Sequence, residues 1–154
     1  GSIGELSVAE NLALENIKNF TKYGMLDKKK IVNDAAEKIK EFQIKASPND
    51  QLRKLSGGNM QKVILARALA RKPKVLIAAQ PTRGLDVGAS EYVRKRLLEE
   101  RANGTAVILL SEDLDEVLAL SDRIAVIYEG CIKGIVPSAE ATPEKLGLLM
   151  AGAC

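Results

Sequence analysis

The chain has 154 residues, 46% hydrophobic and 28% charged, which suits a folded domain with a real core and excludes a disordered chain. A formal net charge of +3 and an aromatic content of 3% argue against nucleic acid as a partner. Histidine is absent, which removes Ser-His and Cys-His catalysis and the common zinc sites, and no apolar run reaches the roughly 18 residues of a membrane span.

The opening GSIGELSVAENLAL lacks the basic and long apolar regions of a signal peptide, and its Gly-Ser reads as a cloning scar. Ser7 to Glu10 fits a capping box, with Leu12, Ala13 and Ile17 as the apolar stripe of the helix that follows. Tyr23-Gly24 breaks that pattern. A second helix is predicted from Asp27 to Phe42, with Ile31, Ala35, Ile39 and Phe42 on one face and Lys28-Lys29-Lys30 as its solvated start. Ala46 to Asp50 reads as a loop.

From Leu55 onward strands and helices alternate. Ser56 opens a helix through Ala70, which stops before Pro73. Lys74 to Ala79 is an apolar run suited to a strand buried on both faces. Ala89 to Arg101 is a helix closed by Asn103-Gly104, and Thr105 to Leu110 is a second buried strand. A short helix from Asp113 to Leu120 carries Asp113 as its cap. Arg123 to Tyr128 is a third strand, Glu129-Gly130 turns, Cys131 to Val136 returns antiparallel, and Pro143 starts a terminal helix. Such alternation implies a parallel sheet with helical crossovers. Cys131 and Cys154 have no metal or redox spacing and read as structural thiols of a reducing compartment.

The stretch LSGGNMQK, Leu55 to Lys62, is the chemical centre of the chain. A helix mouth with two glycines and a serine hydroxyl presents unpaired N–H groups to an anion, and it is equally well a plain capped helix after a glycine-rich turn. The surrounding blocks decide between the two. LSGGNMQK resembles the signature motif of the nucleotide-binding domain of ABC transporters. Val75 to Ala89, VLIAAQPTRGLDVGA, resembles the Walker B strand and D-loop, and Val107 to Gly130 resembles the switch strand and its sequel. SVAENLAL and PTRGLDVGA are similar to the sugar and nucleoside importers, whose ATPase carries two such domains in tandem; SEDLDEVLALSDRIAV and the closing TPEKLGLLMAG resemble the nucleoside-type, basic-membrane-lipoprotein-associated branch, and the chain resembles the second domain.

The resemblance implies an α/β fold: an incomplete P-loop ATPase core with a helical subdomain, 7–54 helical, 55–136 the later part of the core and 137–154 a helical tail. It implies that Ser56, Gly57, Gly58, Asn59, Gln61 and Asp86 act in trans on ATP held by a partner domain. Asn59 and Gln61 read equally well as exposed polar positions of the first helical turn, and Arg83 as interfacial or solvated. No G-x-x-x-x-G-K-[ST] occurs, so the Walker A loop and the upstream Q-loop are expected to be missing and the chain to be a fragment. The family's Walker B Asp-Glu is Ala79-Gln80 here and its switch His is Glu112. Ala79 offers no oxygen to the water shell of Mg²⁺, and Gln80 orients a water without accepting its proton.

These departures imply a degenerate site of the chain's own beside an intact signature lent to another domain. The fragment alone is expected to be catalytically inactive, with no metal and no bound nucleotide; ATP and Mg²⁺ belong to the full assembly. The implied partners are a first nucleotide-binding domain and transmembrane permease subunits, at the cytoplasmic face of the membrane. The alternatives are an ABC-type head of a DNA-repair or chromosome-organising protein, or a non-catalytic fragment. Finally, the family's Walker A strand lies between the strands at 105–110 and 123–128. Without it, the chain is expected to close that gap itself or to fill it by self-association through open sheet edges.

Overall fold

The computed structural model describes residues 2–152. Gly1, half of the Gly-Ser pair, and Cys154 lie outside the described residues, and Cys131 is exposed. The chain forms two compact units: one holds the chain up to Leu76 together with Pro81–Ala106, the other Ile77–Gln80 and the chain from Val107 onward.

The first unit is built on four helices. The capping box forms as expected at Ser7, whose hydroxyl accepts from the Glu10 N–H while the Glu10 carboxylate accepts from the Ser7 N–H at 2.8 Å, and α1 runs Val8–Ala13. The next residues, Leu14–Phe20, tighten into a 3-10 helix with a non-helical Asn16, which moves Ile17 out of phase with the apolar stripe. Leu12 and Ala13 are therefore buried and Ile17 is exposed. Tyr23 and Gly24, at φ 51° and 80°, make the tight turn of a small hairpin, β1 Thr21–Lys22 and β2 Met25–Leu26.

Asp27 then caps α2, Lys28–Glu41, which buries Ile31 and Ala35; Phe42 is buried beyond its end and Ile39 half-buried. The helix ends in a Schellman arrangement, with Gln43 N–H donating to Lys40 O and Ile44 N–H to Ile39 O, and Gln43 at φ 51° where glycine is usual. The loop at 48–50 folds back onto α1: Val8 and Ala9 N–H donate to Asp50 O and Pro48 O, both at 2.9 Å. Asn11, fully buried, accepts from Ile3 N–H and donates to Ile3, Leu6 and Ser7 carbonyls, so it pins the chain start over α1. The third helix, α3 Gly57–Leu69, and the fourth, α4 Val87–Ala102, pack together; α4 begins two residues before the expected Ala89 because Asp86 caps it, and it closes at Asn103-Gly104 with Thr105 N–H bonded to Glu100 O.

β3 is Val75–Ala79 and β4 is Ala106–Leu110. They run parallel, with Ala106 N–H donating to Lys74 O at one end and Gln80 N–H to Leu110 O at the other. Neither is buried on both faces as its apolar run predicts: Val75, Ile77, Ile108 and Leu110 are exposed. A run of apolar residues records what a strand is suited to pack against, and here only alternate residues are covered.

In the second unit, Asp113 caps α5, Leu114–Leu120, as expected. Strands β5 Arg123–Tyr128 and β6 Cys131–Pro137 form an antiparallel hairpin through Glu129-Gly130, with an extra residue, Lys133, bulged from β6 between the 126↔134 and 127↔132 pairs. Ile124, Val126, Val136 and Leu146 form its core with α6, Pro143–Met150, laid across the hairpin. β4 and β5 belong to separate two-stranded sheets, so the chain does not close the gap between them itself.

Candidate functional site

The signature stretch folds as a helix mouth held from behind. Ser56 is the extended N-cap of α3, and its Oγ accepts from both the Asn59 N–H at 3.4 Å and Asn59 Nδ2 at 3.0 Å. Asn59 Oδ1 in turn accepts from the Lys45 N–H at 2.8 Å. Asn59, the third residue of the helix, therefore ties the mouth to the chain after α2. Ser56 also takes the Met60 N–H through its carbonyl, and the Gly57 and Gly58 amides are the first N–H groups of the helix. Ser56 and Gly57 are exposed, and Gly58, Asn59 and Gln61 are half-buried.

The two glycines differ in their surroundings. A Cβ on Gly57 would meet only Leu85 Cδ2, at an ordinary 3.8 Å, whereas a Cβ on Gly58 would lie 2.8 Å from Ala89 Cβ. Asp86 stands beside them: its Oδ1 accepts from the Ala89 N–H at 2.8 Å to cap α4, and its Oδ2 lies 4.0 Å from where a Gly58 Cβ would sit. The structure thus brings Ser56, Gly57, Gly58 and Asp86 together, at the adjoining starts of α3 and α4. Sequence reading missed Lys62. Its ammonium donates to Gln43 O at 3.0 Å and sits 4.2 Å from the Tyr92 ring centre. Burial, and then Lys45, push its pKa down, while Asp86 pulls it up. Arg83 is exposed.

The other predicted positions gather elsewhere. The hydrogen bond from Gln80 to Leu110 sets the carboxyl ends of β3 and β4 side by side, so exposed Ala79, half-buried Gln80 and exposed Glu112 follow at one sheet edge, where open α/β sheets carry their ligands. Gln80 holds φ 49°, a left-handed conformation that costs roughly 1–2 kcal/mol for a residue with a Cβ. The donor set does not suit Mg²⁺, since Ala79 has no side-chain oxygen, and among the described residues no group of three carboxylates or thiols could hold a metal ion. The Ser56 hydroxyl and the N-terminal amides of α3 are groups of the kind that bind phosphates at helix starts.

Comparison with known structures gives the class of the fold. The chain superposes on the dimeric ATP-binding cassette MJ0796, in its post-hydrolysis state bound to ADP and Pi, with a TM-score of 0.72 and 26% identity over 90% of this chain and 59% of that one. A second dimeric structure of that bacterial ABC transporter cassette gives 0.73 and 25%. The architecture is that of a P-loop ATPase cassette, mixed α/β. The profile of the family described as ABC transporter matches residues 2–83, just over half of the chain, and the chain belongs to that family. It is 48% identical over 155 residues to a nucleoside import ATP-binding protein, NupA of Lactococcus lactis subsp. cremoris, covering 99% of this chain and 31% of that protein. It is 47% identical to the guanosine import ATP-binding protein NupO and 42% to the ribose import ATP-binding protein RbsA, both of Bacillus subtilis, covering 99% of this chain and 30% and 31% of those proteins. The chain spans about a third of the length of these relatives. No helix among the described residues is long and apolar enough to cross a membrane.

Proposed function

We propose that this chain works within the ATP-driven import of nucleosides or sugars, presenting Ser56, Gly57 and Gly58 to the γ-phosphate of ATP held by another nucleotide-binding domain. One observation supports the reading: Ser56 and Gly57 stand exposed at the N-terminal end of α3, whereas the chain's own Walker B position, Ala79, has no oxygen to offer. The relatives named above, import ATP-binding proteins for nucleosides and ribose, support the substrate class. In this reading the Ser56 hydroxyl and the Gly57 and Gly58 amides hold the phosphate oxygens, with Asn59 and Gln61 alongside, and Asp86 lies at the same seam. Mg²⁺ comes with the partner's ATP and is not held by this chain.

The division is residues 7–54 as a helical subdomain facing permease subunits, 55–136 as the later part of the cassette core, and 137–154 as its tail. The assembly sits at the cytoplasmic face of the membrane. Exposed Val75, Ile77, Ile108 and Leu110 leave apolar surface uncovered on the face of β3 and β4, which supports self-association of the isolated chain there, beside its open sheet edges.

The test is to add this chain to a separately produced nucleotide-binding domain that carries a phosphate loop. Vanadate-sensitive ATPase activity that requires both components, and that survives in the Gln80→Ala variant but not in Ser56→Ala/Gly57→Val, is the expected result. Activity indifferent to Ser56 and Gly57 sinks the proposal.

A further inference from the structure

We propose that the β1–β2 hairpin tip and the first turn of α2 form a peripheral contact with an anionic lipid surface. Tyr23 is 91% exposed, Met25 73% and Leu26 49%, and Asp27, Lys28, Lys29 and Lys30 follow, all exposed. Residues 18–30 hold five lysines and one aspartate, net +4 against +3 for the whole chain, so the rest of the molecule is net negative and the positive field is local.

Both halves of this patch are arranged against local stability. A two-residue turn with positive φ at both positions favours asparagine or glycine, yet a tyrosine stands at the first, at φ 51°. The first turn of a helix favours acids, yet α2 carries none there and begins with three lysines. Asp27 is committed to its cap, accepting from the Lys30 N–H at 2.9 Å, and Lys30 Nζ braces the base of the hairpin by donating to Asn19 O at 3.0 Å. The braced tip presents an aromatic ring, a thioether and a leucine, with ammoniums behind them.

That combination fits a headgroup layer. Tyrosine rings settle at the membrane interface, and lysine stems cover apolar surface while their ammoniums reach phosphates. The seven residues of this patch fall well short of the roughly 20–30 residues a side that a stable protein interface uses, which favours lipid over a protein groove. The contact needs neither ATP nor a permease, although it lies within the 7–54 subdomain that the proposed function turns toward permease subunits.

Cosedimentation of the chain with vesicles of phosphatidylglycerol and phosphatidylcholine, and with phosphatidylcholine alone, tests it. Binding is expected only to the anionic vesicles and to weaken with salt. Lys28→Glu/Lys29→Glu is expected to lower partitioning by about a hundredfold or more, at about fivefold per lysine and more for reversal. Tyr23→Ser/Met25→Ser is expected to lower it as well, while Lys72→Glu/Lys74→Glu, an equal change of charge elsewhere, keeps most of it. Acids in the first turn favour the helix, so the Lys28/Lys29 variant remains folded by circular dichroism. Equal binding to both vesicle types, equal loss in the Lys72/Lys74 variant, or indifference to Tyr23→Ser/Met25→Ser overturns the proposal. So does the absence of any vesicle binding by the folded chain, which assigns the tip to a protein partner.

Discussion

Gly58 and Ala89 meet backbone to methyl: a Cβ added to Gly58 would stand 2.8 Å from the Ala89 Cβ, inside any permitted contact. The second signature glycine is therefore required by the packing of α3 on α4, independently of any ligand. Gly57, with only Leu85 Cδ2 at 3.8 Å from its would-be Cβ, is under no such demand. Gly58→Ala is expected to destabilise the fold by about 1–3 kcal/mol through overpacking, and Ala89→Gly in the same chain to recover much of that loss. Gly57→Ala is expected to leave the denaturation midpoint almost unchanged. Urea titrations of the four variants check this; a Gly58→Ala chain as stable as the parent contradicts it. For the same reason, loss of activity at Gly58 reports packing and phosphate contact together, whereas loss at Gly57 reports approach of a ligand.

Gln43 offers a stabilising substitution. It is the left-handed residue of the α2 Schellman end, and its partner there, the Lys40 carbonyl, is a backbone group. The carbonyl that accepts from Lys62 Nζ is also backbone. Gln43→Gly keeps all of these bonds and relieves the Cβ, so a gain of about 0.5–1 kcal/mol is expected after the entropy of the unfolded glycine is subtracted. A lower thermal midpoint in this variant contradicts the assignment of strain.

Acid is expected to loosen the chain start. The Glu10 carboxyl is held below the usual glutamate range, first by the Ser7 backbone N–H and then by the Ser7 side chain. A depressed folded pKa contributes stability that is complete above the unfolded value and is lost as pH falls through the folded one. Protection of the Ser7–Glu10 amides against hydrogen exchange should therefore decline on acidification through and below the ordinary glutamate range. Ser7→Ala, expected to cost about 0.5–2 kcal/mol as a lost cap, should flatten that dependence.

The open sheet gives a prediction about association. Ile77 and Ile108 are exposed on paired strands of a two-stranded sheet. Light scattering of the chain is expected to show a mass that rises with concentration, and Ile77→Lys/Ile108→Lys to hold it at the monomer, as edge and face charges do in natural sheets. A concentration-independent monomer mass for the parent chain contradicts this.

Some caps were legible in the sequence because capping is local chemistry: Ser7 and Asp113 read as caps and Ser56 as the opening of a helix, and each accepts the helical N–H three residues on. Asp27 and Asp86 cap α2 and α4 in the same way without having been read as caps. What else escaped was set at a distance. Ile17 left the core because Leu14–Phe20 changes helical pitch, which no single residue announces. Asn11 looks like a surface residue in a stripe, yet it is buried because the chain start wraps it with carbonyls. The exposure of β3 and β4 depends on what covers them, which an apolar run does not contain. For the site, residue types and order were legible, but the meeting of Gly58 with Ala89 belongs to the crossing of two helices 31 positions apart in the chain.

The two bonds that reach back from α3, Asn59 Oδ1 to the Lys45 N–H and Lys62 Nζ to Gln43 O, fasten it to the far end of α2. With 14 residues, α2 is a rod of roughly 21 Å. Its lysine-bearing start and the Ser56 end of α3 are thereby linked along the length of α2, through the turn at residues 42–45 and these two bonds.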